Sequence, residues 1–173
     1  GEVFAQPNPD HNGNAWFVNE LQPVLNANQE ILALDSLQTK EKAVVDINEL
    51  KEKYPNKSKT IFEQDSTAVI TLKNYSLTEL SYESISQKDQ FAVFSEIYYG
   101  HGWNAYLDEK LVPHVRVNYV LRGMHVPSGN HKITFKFEPE VIKKGSAITL
   151  TSYAFLLLIP IGWYFFEKKK KKA

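Results

Sequence analysis

The chain contains no cysteine, which removes disulfides, thiolate metal sites and cysteine nucleophiles together. Its five histidines, His11, His101, His114, His125 and His131, fall at no spacing of the HExxH or paired-ligand kind, so no metal centre is expected. There is no GxSxG, no phosphate loop and no dinucleotide fingerprint. Lys57 and Ser58 are adjacent, but they lack the glycines that a phosphate loop needs. Carboxylates are scattered, with no pair to single out for acid–base work, so the sequence gives hydrolase activity no support. Arginine is nearly absent: Arg116 and Arg122 are the only two among 20 basic residues. No basic and then apolar stretch opens the chain, so no signal peptide is read. A domain outside the cell needs an export signal, and a piece of a longer protein is therefore expected.

What is present is aromatic and unevenly charged. Hydrophobic residues make up 43% of the 173 and aromatics 13%, which suits a folded core rather than a disordered segment. Formal charge sums to zero, yet five lysines fill 168–172, so residues 1–166 carry 15 basic and 19 acidic groups. A mildly acidic body with a basic end is not the profile of a nucleic-acid binder, which needs a basic face on its folded part.

Residues 147–166, AITLTSYAFLLLIPIGWYFF, hold no charge. Twenty helical residues span about 30 Å, the thickness of the hydrocarbon core, so a transmembrane helix is expected here. Trp163 and Tyr164 near one end and Tyr153 nearer the other suit the interfaces, and a bilayer helix tolerates Pro160. The lysines follow at once. By the positive-inside tendency, residues 167–173 form a cytoplasmic basic tail and the preceding domain lies outside. About seven residues separate the last strand from this helix, so the domain is expected close to the bilayer surface.

Residues 1–60 read as a small α/β segment. Asn28 is expected to cap a helix with apolar positions at Ile31, Leu32, Leu34 and Leu37. A short strand is expected at 43–45. Asp46 then caps a second helix through INELKEKY, stopped by Pro55, and 56–59 reads as a linker. Residues 61–141 read as strands. TAVITLKNY, LTELSYESI, QFAVFSEIYY and WNAYL are four of them, and the uneven period at Leu77, Leu80 and Tyr82 suggests a bulge. LVPHVRVNYVLRGMHV is long enough for two strands or one bent one. Residues 127–130, PSGN, mark a turn, and HKITFKF alternates cleanly with Ile133, Phe135 and Phe137 on one face. Six or seven short strands with regular turns imply a mainly β fold, an antiparallel β-sandwich of jelly-roll or lectin-like kind.

Residues 95–139, SEIYYGHGWNAYLDEKLVPHVRVNYVLRGMHVPSGNHKITFKFEP, resemble the C-terminal region of YfhO-type bacterial membrane proteins. The shared pattern is a strand ending in two tyrosines, a Gly-Trp pair, an Asp-x-Lys turn, Arg-x-Asn-Tyr, a Pro-x-Gly turn and a strand ending in Glu-Pro. NPDHNGNAWFVNE resembles the upstream part of that region in Bacteroidetes members. Two positions depart from the pattern. Glu109 stands where glycine is usual and resists the positive φ of a two-residue type I′ turn, so a longer or different turn is expected. His101 stands where a proline is more usual.

The resemblance implies a polytopic glycosyltransferase of the GT-C type in the bacterial cytoplasmic membrane. Such an enzyme moves a sugar from a polyprenyl-phosphate carrier to an acceptor outside. Its catalytic acids belong to an early loop between N-terminal membrane helices, outside these residues, so no catalytic residue and no cofactor is implied in this piece. The implied partners are the lipid bilayer, the rest of the same polytopic chain and an envelope glycan or glycolipid acceptor. The alternative is a membrane-anchored carbohydrate-binding or structural module with no enzyme attached.

Two groups of residues are candidates for ligand binding. Tyr98, Tyr99 and Trp103 flank a glycine-rich turn and either stack on a sugar ring or fill the core. As strand neighbours, Tyr98 and Tyr99 would point to opposite faces. Arg116 and Arg122 lie six residues apart with Asn118 between. An unbroken strand would put all three on one face, where the guanidinium pair could grip a lipid phosphate or an anionic glycan. The competing reading is structural salt bridges to acids such as Glu96 or Asp108.

Overall fold

A computed structural model describes residues 8–55 and 59–170, with the side chains of 143, 164–167 and 169 also outside the description. The expected linker at 56–59 therefore lies outside the described residues except for Lys59, as do two of the tail lysines. The chain divides into two compact units, one running to Glu138 and the other beginning at Pro139.

The first unit has three layers. The middle layer is a four-stranded antiparallel sheet in the order β1 (Ala15–Val18), β6 (Gln90–Ile97), β10 (Leu121–Val126), β9 (Val115–Val117). One face packs on a five-stranded antiparallel sheet ordered β4 (Val69–Tyr75), β5 (Glu79–Ser86), β11 (Gly129–Phe137), β7 (Trp103–Leu107), β8 (Lys110–Val112). Leu80, Tyr82, Ala92, Phe94, Met124, Ile133 and Phe135 close this sandwich core. The other face of the middle sheet packs on an α/β layer. That layer contains parallel strands β2 (Glu20–Val24) and β3 (Lys42–Asp46), joined through helix α1 (Ala27–Ala33) and followed by α2 (Ile47–Lys53). Leu21, Ala43, Val45, Leu50, Phe62, Phe91, Val93, Val115 and Val117 form this second core.

The run QFAVF in β6 is apolar without alternation because both of its faces are covered: Phe91 and Val93 enter one core, Ala92 and Phe94 the other. Residues 15–18 form β1 and pair with β6 in the register Val18↔Phe91. They and the following βα segment are thus built into the same unit as the sandwich.

Several local expectations shift. Asn26, not Asn28, caps α1, its side chain accepting from the Gln29 amide at 3.0 Å. The helix also turns its apolar residues outward. Ile31 and Leu32 are exposed, while Glu30 is the buried residue, because Glu30 has partners across the fold. Asp46 caps α2 as expected, accepting from the Asn48 amide at 2.8 Å. Leu80 and Tyr82 keep period two in β5. Leu77 sits in the preceding turn, and the irregularity lies on the partner strand between Leu72 and Asn74. Eight strands, not six or seven, follow residue 61.

The stretch 111–126 becomes parts of three strands rather than one or two. Pro113 separates β8 from β9, which belong to different sheets, and a hairpin separates β9 from β10. In that hairpin, whose loop is residues 118–120, Asn118 and Tyr119 have φ of 49° and 70° and the Val120 amide donates to Asn118 O at 2.8 Å. The β7–β8 hairpin is a two-residue turn. Leu107 pairs with Lys110, and Asp108 and Glu109 have φ of 48° and 68°. Glu109 therefore adopts the conformation expected to exclude it, held there by the register of the flanking strands and by Asp108. The Asp108 carboxylate accepts from the Lys132 amide at 2.9 Å and lies 2.6 Å from His131 Nδ1.

The second unit is helix α3 (Glu140–Lys170), of which Glu140–Trp163 is long and apolar enough to cross a membrane. Its described side chains are exposed, and exposed apolar residues occupy every position from 155 to 159, which covers all sides of a helix. The loops that shape the candidate site all belong to the first unit.

Candidate functional site

A cleft of about 770 Å³ opens where α2, the β6–β7 loop and the β9–β10 hairpin meet. The helix contributes Asn48, Glu49, Glu52 and Lys53, with the capping Asp46; the loop contributes Tyr98, Tyr99 and His101; the hairpin contributes Arg116 and Tyr119. The helix residues lie more than 40 positions before the loop and hairpin residues, so only tertiary folding assembles the cleft.

Tyr98 and Tyr99 do not alternate as expected. Strand β6 ends at Ile97, and both rings line the cleft from the loop beyond it. The Tyr98 amide donates to Val120 O at 2.7 Å, fixing the loop to the hairpin. The Tyr99 carbonyl accepts from the Gly102 and Trp103 amides at 3.1 and 3.0 Å, which turns the chain sharply. A Cβ at Gly102 would lie 2.5 Å from the Tyr99 and Phe137 rings, so this approach requires glycine. Burial and the neighbouring Glu49 carboxylate push the Tyr98 hydroxyl up to about 12. Tyr99 is half exposed and presents its ring to solvent.

Arg116 sits between two carboxylates. Its Nη2 lies 3.2 Å from Glu30 Oε2 and its Nε 4.0 Å from Glu49 Oε2, while its backbone amide donates to Glu49 Oε1 at 2.9 Å. Glu30 Oε1 also accepts from the Tyr119 amide at 2.8 Å. Burial raises the Glu30 carboxyl, opposed by that amide and by Arg116. The Arg116 guanidinium lies 5.7 Å from the Tyr119 ring. Tyr119 is thus a non-glycine residue at positive φ that lines the cleft and covers its cation. Strain of this kind, about 1–3 kcal/mol, persists where the surroundings hold it.

The other three sequence candidates lie elsewhere. Asn118 is buried beside β3. Its side-chain oxygen accepts from the Val44 amide at 2.8 Å and its amide donates to Val44 O at 2.9 Å, so it pins the hairpin to the α/β layer. Arg116 and Arg122 do not lie along one unbroken strand: the hairpin makes them directly opposed cross-strand partners, and their guanidinium groups go to different acceptors. Arg122 enters the sandwich, donating from Nε to Ile97 O at 2.9 Å, with its guanidinium 4.4 Å from the Trp103 ring and 5.0 Å from Phe135. Half-buried Trp103 packs against the sandwich core and lines none of the cleft. The salt bridges expected for the arginines go to Glu30 and Glu49 for Arg116, while Asp108 pairs with His131. Glu96 faces Arg122 electrostatically, burial raising its carboxyl and Arg122 opposing that.

The sequence reading did not mark Glu49, Glu52 or Tyr119 as binding residues, nor Asp46 beyond its role as a helix cap. An i, i+3 pair of acids on a helix, Glu49 and Glu52, carries a positional signal, but nothing local says which residues they face. As a whole the cleft offers aromatic faces, carboxylate acceptors and hydroxyls. A family model described as bacterial membrane protein YfhO matches residues 26–149, more than two thirds of the chain. No curated protein and no solved structure matches it.

Proposed function

This chain belongs to the YfhO family of bacterial membrane proteins, and from that premise we propose that it is the accessory, glycan-engaging part of a membrane glycosyltransferase. Helix α3 is a membrane span, in the bacterial cytoplasmic membrane, with the lysine tail cytoplasmic and the β-rich unit extracytoplasmic. The full protein draws a sugar from a polyprenyl-phosphate donor, using acids that lie in other parts of the polytopic chain. The β-rich unit holds the envelope glycan or glycolipid acceptor. One observation carries this reading: three tyrosines, two of them from one loop, converge on a cleft with carboxylates opposite. Aromatic faces bind sugar C–H surfaces, and carboxylates order hydroxyl groups.

The test is sugar transfer to envelope acceptor by the full-length protein carrying Tyr99→Ala and, separately, Glu52→Ala, two changes at exposed positions. Both variants are expected at wild-type level in the membrane with transfer lowered several-fold. Unchanged transfer in both would reject an acceptor role for the cleft.

A further inference from the structure

The cleft is electrically lopsided. Asp46, Glu49 and Glu52 line it, and Glu30 lies buried behind Arg116. Against these four carboxylates stand, among the described residues, Arg116 and Lys53, an excess of two negative charges. The one guanidinium is already engaged by Glu30 and Glu49. A phosphate or a carboxylate would have to share a guanidinium whose charge already answers Glu30 and Glu49. Lys53 is held by its neighbour Glu52 at 3.8 Å, on the exposed rim. An anion entering the cleft thus meets like charge and, among the described residues, no free cation inside it.

A neutral or cationic ring meets the opposite conditions. The half-exposed Tyr99 ring supplies a face for stacking, with Tyr119 across the cleft. Glu52, three-quarters exposed at its side chain, and Glu49, about one-fifth exposed, present acceptor oxygens to hydroxyl or ammonium hydrogens. Building on the glycan-binding reading, we infer that the cleft takes a sugar residue that is uncharged or bears a free amine, and turns away phosphorylated and carboxylated sugars. The acceptor unit recognised here is accordingly the non-ionic or amino sugar of an envelope glycan. Any phosphate of that glycan stays outside the cleft.

Ligand-observed NMR on the whole chain in phosphatidylcholine nanodiscs at pH 7.5 tests this, with glucose, glucosamine, glucuronate and glucose 6-phosphate as probes. Glucosamine and glucose should bind, with glucosamine ahead of both anionic sugars by about tenfold, from the like-charge repulsion. Glu52→Lys, at an exposed position, should move the glucosamine to glucose 6-phosphate ratio by at least about threefold toward the phosphate. Tyr99→Ala should weaken all binding without altering that ratio. An anionic sugar binding as tightly as glucosamine, or a ratio indifferent to Glu52→Lys, overturns the charge selection while leaving acceptor binding intact. Binding of none of the four overturns both the selection and the glycan-binding reading beneath it.

Discussion

Replacing Glu109 with glycine should make the protein more stable. Glu109 holds φ at 68° in the second centre of the β7–β8 turn, and its side chain is exposed, with no ion pair or hydrogen bond among the described residues. A non-glycine residue in the left-handed region costs about 1–3 kcal/mol. Glycine removes that strain but adds about 0.5–1 kcal/mol of unfolded-chain entropy to be lost on folding. The balance is a gain of about 1 kcal/mol, or roughly 3 °C in Tm for a unit of this size. The neighbouring Asp108 provides a control of opposite sign. Its φ of 48° is equally left-handed, but its carboxylate holds the Lys132 amide and His131, so Asp108→Gly should lose about 1 kcal/mol. Thermal unfolding of the chain in detergent micelles, followed by near-UV circular dichroism, reads both changes against an α3 contribution common to all variants. A Tm unchanged or lowered by Glu109→Gly would refute the strain argument, as would a Tm raised by Asp108→Gly.

Two other substitutions probe the cores. A Cβ at Gly123 would lie 2.5 Å from Phe91 Cε1 and 3.0 Å from Val117 Cγ1, so Gly123→Ala should destabilise by about 2 kcal/mol in urea unfolding. A loss under 0.5 kcal/mol would mean that Phe91 repacks freely. Buried His114 is pushed down to about 4, first by burial and then by Arg122 and Lys53. The unfolded chain takes that proton near 6.5 and the folded chain refuses it until about 4. Stability is therefore full above pH 6.5 and falls as the pH drops toward 4, by up to about 3 kcal/mol. His114→Phe, which keeps a ring between Tyr98 and Phe135, should flatten this dependence. Equal losses for wild type and variant between pH 7.5 and 4.5 would contradict it.

Local chemistry made much of the fold legible. Alternation in HKITFKF gave β11 and its inward face, Asp46 marked the start of α2, and the run through Phe94 marked a strand, though not its central place. What stayed hidden depended on distant partners. Glu30 faces inward because Arg116 and the Tyr119 amide, 86 and 89 residues away, receive it, and no helical periodicity encodes that. The two hairpins place Asp-Glu and Asn-Tyr at positive φ, without the glycine that announces a tight turn, so the Arg116 to Arg122 stretch read as extended. The same split runs through the site. Tyr98, Tyr99 and Arg116 stand out locally and do line the cleft, whereas Glu49 and Glu52 come from a helix of which the sequence marked only the cap, Asp46. Trp103, Asn118 and Arg122 have the right chemistry for binding, but packing uses it elsewhere.

Strand β6 is a party wall, with Phe91 and Val93 in one chamber and Ala92 and Phe94 in the other. Neither chamber can lose its contents without exposing the wall, so the whole unit should melt as one cooperative block, its slowest-exchanging amides on β6 and β10. Any fragment intended to fold by itself must therefore begin upstream of Ala15. A clone opened at residue 61 would leave Phe91, Val93, Val115 and Val117 facing water and precipitate.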